Sequence, residues 1–164
     1  PYYPLLNHAV NVLYPPGSVF KVVTAVGALE EDVIDPERFI NDPGKITIRD
    51  QYFPADLGRA RDFVCWNREG HGEVNFITGI AQSCNVYFYQ LMLKVGLDPW
   101  TATGRAFGFG QITGADIAEE NPGLLPSTAY MNRRYGERGW TKGYTGSMAI
   151  GQGELGVTPL QMAG

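Results

Sequence analysis

Cysteine and histidine are scarce, two of each in 164 residues, and that excludes a small scaffold built on disulfides. Lysine and arginine number 13 against 17 acidic residues, for a net charge of −4, and they form no run. The basic footprint of a nucleic-acid binder is therefore missing, and no nucleic-acid partner is expected. No apolar stretch reaches the ~20 residues of a membrane-spanning helix. Nothing near Pro1 has the basic, apolar and small-residue order of a signal peptide. Internal repeats and low-complexity tracts are also absent. What is present is a chain with 44% hydrophobic residues, enough to bury the core of one ordinary domain.

Pro16-Gly17 breaks the chain before Ser18, and the apolar residues that follow predict a helix, buried on nearly every side, to about Glu31. The Pro/Gly/Asp-rich stretch "DPERFINDPGKITIRDQYFPADLGRARD" predicts loop, apart from a short strand or hairpin in "KITIRDQYF". Asn75 is a plausible cap for "NFITGIAQ", which breaks at "SCN" and resumes as the helix "VYFYQLMLKV", stopping at Gly96. Asp98-Pro99 opens a short helix "WTATGRAF", closed by "GFGQITG". Residues 121–145 read mostly as loop, and Thr158-Pro159 opens a last helix, "LQMA".

Within the first helix, Lys21 is the only ionisable side chain between Ser18 and Glu30. Positions three apart share one helical face, so Ser18 and Lys21 point into one small volume. Burial lowers the pKa of a lysine, and a neutral amine beside a hydroxyl is a general base beside a nucleophile. The backbone N–H groups at the helix start lie where an oxyanion would develop on an attacked carbonyl. A bare Ser-x-x-Lys spacing also fits a capping serine followed by a snorkelling surface lysine.

The segments "YPPGSVFK" and "AQSCNVYFYQL" together resemble the penicillin-binding protein transpeptidases, whose Ser-x-x-Lys precedes a Ser-x-Asn motif. "GALEEDVID", "CWNREGHGEVN", "FGFGQITGADIAEENPGLLPS" and "AIGQGELGVTPLQMA" resemble class B members in the same order, the elongation-type penicillin-binding protein 2 group above all. The resemblance implies that Ser18 is the acylated nucleophile, Lys21 its base, Ser83 a proton relay and Asn85 a hydrogen-bond donor to substrate. Read without the family, Ser83 and Asn85 are turn residues between helices. The family's Lys-Thr-Gly motif is not found: in "TKGYTG", Lys142 and Thr145-Gly146 are not contiguous. The expected fold is therefore mostly α with one short β hairpin. It would be the helical part of the α/β domain shared with serine β-lactamases, residues 1–164 forming a partial transpeptidase domain with the central sheet largely missing.

The implied reaction is D,D-transpeptidation: acyl transfer from the D-alanyl-D-alanine end of one peptidoglycan stem peptide to an amine of another during cell-wall elongation. β-Lactam antibiotics would acylate the same serine. The resemblance needs no cofactor for catalysis. It implies a protein on the outer, periplasmic face of the cytoplasmic membrane, held by a single N-terminal anchor absent from this chain. Its partners would be a polytopic glycan polymerase and cell-shape proteins. Alone, without the third motif, the chain should be catalytically silent. The rival readings are a serine β-lactamase or β-lactam sensor domain and a non-catalytic cell-wall scaffold fragment. "EENPGLLPS" looks like the transpeptidase loop rather than the deacylating loop of a hydrolase.

Both cysteines remain to be placed. Cys65, His71 and Cys84 follow a Cys-x5-His-x12-Cys spacing that matches no standard zinc finger. Cys84 lies inside the Ser-x-Asn corner, and Asp42 can approach from the loop after the first helix. Together the four make a closed tetrahedral set suited to a structural zinc. The alternatives are a Cys65–Cys84 disulfide or two buried free thiols.

Overall fold

A turn of 3-10 helix, Gly17–Phe20, leads into α1 (Lys21–Glu30) at the centre of the computed structural model, which describes residues 6–164. The first five residues, read above for a signal-peptide pattern, lie outside the described part. Helix α2 (Phe76–Ala81) and α3 (Asn85–Val95) meet at a corner, and α4 (Leu97–Ala106) follows after Gly96. Helices α5 (Thr128–Tyr135), α6 (Lys142–Met148) and α7 (Pro159–Ala163) complete the described helices. None of the described helices is long and apolar enough to cross a membrane.

Helix α3 is apolar all round because it is surrounded: Val86, Phe88, Leu91 and Met92 are fully buried. Helix α1 packs against α3 and α4, while α6 packs against α3 from another side. Phe20, the last residue of the 3-10 turn, inserts between Trp100 and Phe109, with ring centroids 5.4 and 4.8 Å away. Thr24 on α1 is a buried junction. Its hydroxyl donates to the Ala149 carbonyl at 2.9 Å and accepts from Trp100 Nε1 at 2.9 Å, joining α1, α4 and the end of α6.

Strand content differs from the single expected hairpin. Among the described residues, four short strands form two antiparallel pairs. β1 (Ile40–Asp42) pairs with β4 (Gly72–Val74), and β2 (Lys45–Ile48) pairs with β3 (Arg61–Val64) in the register Lys45↔Val64 to Ile48↔Arg61. The alternation in "KITI" is thus a real strand, but its partner is β3 rather than the adjacent "QYF". Residues 121–145, read mostly as loop, do hold all of α5 and the start of α6. Ser127 caps α5 by accepting from the Tyr130 N–H at 3.3 Å, and Gly136 ends it. Helix α4 starts one residue before Asp98, whose carboxylate accepts from the Thr128 N–H at 2.9 Å and so ties α5 to α4. The Thr158-Pro159 signal holds, with a reciprocal cap between Thr158 and Gln161.

Candidate active site

Ser18 lies inside the 3-10 turn and does not cap it: Pro16 is the N-cap, and no side chain caps this end. A 3-10 turn stacks residues i and i+3 on one line, which places Ser18 directly one turn before Lys21. The serine is exposed and the lysine is buried, only 4% accessible. The capping-serine and snorkelling-lysine reading therefore fails on both counts. The turn's entry is fixed by two glycines: the Gly17 N–H donates to the Gly151 carbonyl at 2.9 Å. Gly151 has φ +72°, and a Cβ there would lie 2.1 Å from the Gly17 carbonyl oxygen. Only glycine permits that approach.

The Lys21 ammonium crosses to the corner between α2 and α3. It donates to the Ser83 carbonyl at 2.7 Å, to Ser83 Oγ at 2.9 Å and to Asn85 Oδ1 at 2.7 Å. Its three hydrogens are all engaged, and none goes to Ser18. Ser83 has φ +50°, a left-handed conformation uncommon for serine that aims both of its oxygens at the lysine. Burial lowers the Lys21 pKa from 10.5 to about 8, a fall partly opposed by the nearby Cys84 and Cys65 thiols. An amine with that pKa is available as a base near neutral pH.

Cys84, between Ser83 and Asn85, begins a second cluster behind the corner. The side-chain ligand atoms of Asp42, Cys65, His71 and Cys84 all lie within 4.8 Å of one another. Asp42 Oδ2 lies 2.7 Å from His71 Nδ1 and accepts from Cys84 Sγ at 3.1 Å, and Cys65 Sγ is 3.5 Å from His71 Nδ1. Both cysteines are free and buried. For Asp42, burial would raise the pKa, but hydrogen bonds from His71, Cys84 and the Gly44 N–H outweigh it and hold the carboxyl below its usual range. Burial pushes the Cys84 thiol strongly up. Bond lengths of ~2.0–2.3 Å at tetrahedral angles put zinc ligand atoms about 3.3–3.8 Å apart, so the donor set needs only small shifts to take an ion.

All eight residues singled out in the sequence fall into two adjoining groups. Lys21, Ser83 and Asn85 meet at the corner with Ser18 one turn before Lys21, and Asp42, Cys65, His71 and Cys84 lie behind it. Sequence reasoning missed Gly151 and Thr24 as the braces of the serine turn. The Gly-x-Gly in "AIGQG" was the available signal for the first.

A serine exposed at a helix start, followed by a buried lysine that a second serine and an asparagine hold, is the arrangement that serine chemistry with a lysine base in place of histidine requires. The chain belongs to the family whose model is described as "Penicillin binding protein transpeptidase domain", which matches residues 1–164. It is 41% identical over 160 residues to the peptidoglycan D,D-transpeptidase MrdA of Acinetobacter baumannii, an alignment covering 98% of this chain and 22% of that protein. The crystal structure of Pseudomonas aeruginosa PBP2 in complex with WCK 5153 superposes with a TM-score of 0.85 at 35% identity, covering 98% of this chain and 34% of that one. The complex between PBP2 and MreC from Helicobacter pylori gives 0.83 at 36% identity, covering 96% and 28%. The chain thus spans about a quarter of the length of the curated relatives it matches.

Proposed function

We propose that the protein containing this chain is a peptidoglycan D,D-transpeptidase of the elongation type, acylated at Ser18. The observation that carries this reading is the buried Lys21, one turn beyond an exposed serine and bonded three times to the Ser83–Asn85 corner. Lys21 in its neutral form takes the Ser18 proton while Oγ bonds to the penultimate carbonyl carbon of a stem peptide. The Ser18 N–H, at a helix start where no intrahelical acceptor exists, donates to the developing oxyanion. The second donor belongs to the Lys-Thr-Gly strand, outside this chain. As the C–N bond breaks, the proton passes through Lys21 and Ser83 to the departing D-alanine. An amine of a neighbouring stem then displaces Ser18, and Asn85 holds the peptide backbone of the donor. β-Lactams enter the first half of this sequence and stay bound.

In this reading residues 1–164 are a partial transpeptidase domain, its central sheet completed by other parts of the protein. The intact molecule is anchored by one N-terminal helix on the periplasmic face of the cytoplasmic membrane. It works with a glycan polymerase and cell-shape proteins, a reading supported by the MreC complex of the Helicobacter pylori relative. Penicillin should add covalently to Ser18 of the intact protein, as located by peptide mass spectrometry. An adduct elsewhere, or undiminished labelling of Ser18→Ala, refutes the assignment.

The second cluster we propose as a structural zinc site, with Asp42 Oδ2, Cys65 Sγ, His71 Nδ1 and Cys84 Sγ as ligands. Two thiolates, an imidazole and a carboxylate are a closed set without a position for substrate, so an ion there supplies cross-linking rather than chemistry. Its support is the convergence of four ligand atoms from four separate segments. Purified intact protein should contain about one zinc per chain, lowered by Cys84→Ala or His71→Ala. A melting temperature unmoved by chelator, or a 2 Da mass loss showing the cysteines joined, refutes the site.

A further inference from the structure

Two backbone ties hold the segment that leads into Ser18. Tyr14 exchanges hydrogen bonds with Val157 at 2.8 and 2.9 Å, and the Gly17 N–H donates to the Gly151 carbonyl at 2.9 Å. Between those ties the chain takes three steps on the serine side, from Tyr14 to Gly17, and six on the other, from Gly151 to Val157. Extended chain would cover ~10 Å and ~20 Å over those steps, so residues 152–156 cannot lie flat along the serine segment. Their surplus is taken up in a turn at Gly153 and Glu154. A side chain anchors that turn: Glu154 Oε2 accepts from the Tyr130 hydroxyl at 3.2 Å and lies 3.3 Å from Arg134 Nε, while Oε1 accepts from the Tyr135 hydroxyl. All three donors stand on α5. Arg134 also donates to the Tyr135 hydroxyl at 3.0 Å, and the Tyr135 ring packs against Tyr144 of α6 with centroids 5.3 Å apart.

A lone surface ion pair contributes little. The Glu154 side chain, however, is only 23% accessible and takes two phenol donors besides the guanidinium, so its loss leaves a cluster of donors unmatched. Backbone ties flank it on both sides: the Gln152 N–H donates to the Ser147 carbonyl at 3.0 Å, and Gly156 exchanges hydrogen bonds with Leu124 at 2.7 and 3.0 Å. Among the described residues Glu154 makes no hydrogen bond to Ser18, Lys21, Ser83 or Asn85, so any effect on the chemistry passes through the turn. We propose that Glu154 is a positioning residue for the nucleophile: clamped by α5, it sets the turn that holds Gly151 against Gly17, and with it the placement of Ser18 relative to Lys21. This inference rests on the transpeptidase reading above, since that reading makes Ser18 the nucleophile.

Two measurements on the intact protein test it. Stopped-flow acylation by a fluorescent penicillin over a range of concentrations separates the Kd of the first complex from the limiting acylation rate. Because a misplacement of ~1 Å can cost about a hundredfold in rate, a partly released turn in Glu154→Ala should lower the limiting rate about tenfold and leave that Kd within about twofold. Tyr130→Phe/Tyr135→Phe, which keeps both rings and removes both phenol donors, should do the same. Adding Glu154→Ala to that pair should then cost little more, since the three residues act as one unit. Separately, the Gly17 amide, protected by the Gly151 carbonyl, should exchange its hydrogen about tenfold faster in each variant, as read by mass spectrometry. A limiting rate that holds while only the melting temperature falls, losses that simply add, or Gly17 exchange at wild-type speed overturns the proposal. Should Glu154→Ala fail to fold, the tyrosine pair decides by the same two readouts. Failure of penicillin to label Ser18 in the wild type would instead strike the transpeptidase reading, because the exchange measurement needs no reaction.

Discussion

Raising the pH from 6 to 8 should accelerate penicillin acylation of the intact protein by roughly fiftyfold, because the base must first lose a proton. With the Lys21 pKa lowered to about 8, the neutral fraction is roughly 1% at pH 6, roughly 9% at pH 7 and about half at pH 8. The acylation rate constant should therefore climb tenfold per unit below pH 7 and level off near pH 9. A lysine at its ordinary 10.5 would keep climbing beyond pH 10. Stopped-flow measurement with a fluorescent penicillin over pH 5.5–9.5 reads the midpoint directly. Asn85→Ala supplies the control on cause: its Oδ1 accepts from the ammonium at 2.7 Å, so losing it destabilises the charged form and moves the midpoint to lower pH. Stability carries the same signature with a defined sign. Because the folded pKa lies below the unfolded one, burying the ammonium costs stability in full below about pH 8, and the cost recedes between about 8 and 10.5. A rate that is flat from pH 6 to 8, or an Asn85→Ala midpoint that moves upward, would falsify the assignment of Lys21 as the base.

Gly151→Ala should destabilise the intact protein by on the order of 2 kcal/mol or more in urea titration, and slow acylation of Ser18 further, since the new methyl overlaps the Gly17 carbonyl at a left-handed φ. Retention of wild-type stability would mean the two segments can part without cost. Thr24→Val keeps the shape of its site but orphans Trp100 Nε1 and the Ala149 carbonyl, a loss of roughly 2–4 kcal/mol by the same measurement. A loss below half a kcal/mol would show that the junction is not dry.

The site was more legible than the fold around it. Ser18 and Lys21 could be paired from their spacing, because that relation is local in sequence, whereas Ser83 and Asn85 read by themselves as turn residues and were singled out only by the family resemblance. Helix α6 was hidden by its own composition: Gly143 and Gly146 read as breakers, yet they mark where β3 comes close. A Cβ on Gly146 would lie 2.6 Å from the Phe63 ring, and one on Gly143 would lie 3.3 Å from Arg61. Tertiary packing there outweighs helix propensity. The strand pairs were missed for a related reason, since β1 meets β4 across some thirty residues and nothing local announces the partner. Likewise, the Asp42–Cys65–His71–Cys84 set could be listed from residue types, but its convergence depends on that same β1–β4 pairing.

Lys21 is also a mechanical part, and its chemistry changes how many struts it provides. As an ammonium it ties α1 to the corner before α3 with three hydrogen bonds. As an amine it has two hydrogens, so at least one of those donations lapses, and the lone pair it gains can face Ser18. In the mechanism proposed above, the proton that keeps Lys21 from acting as a base is thus the same one that completes its three ties between α1 and the corner before α3.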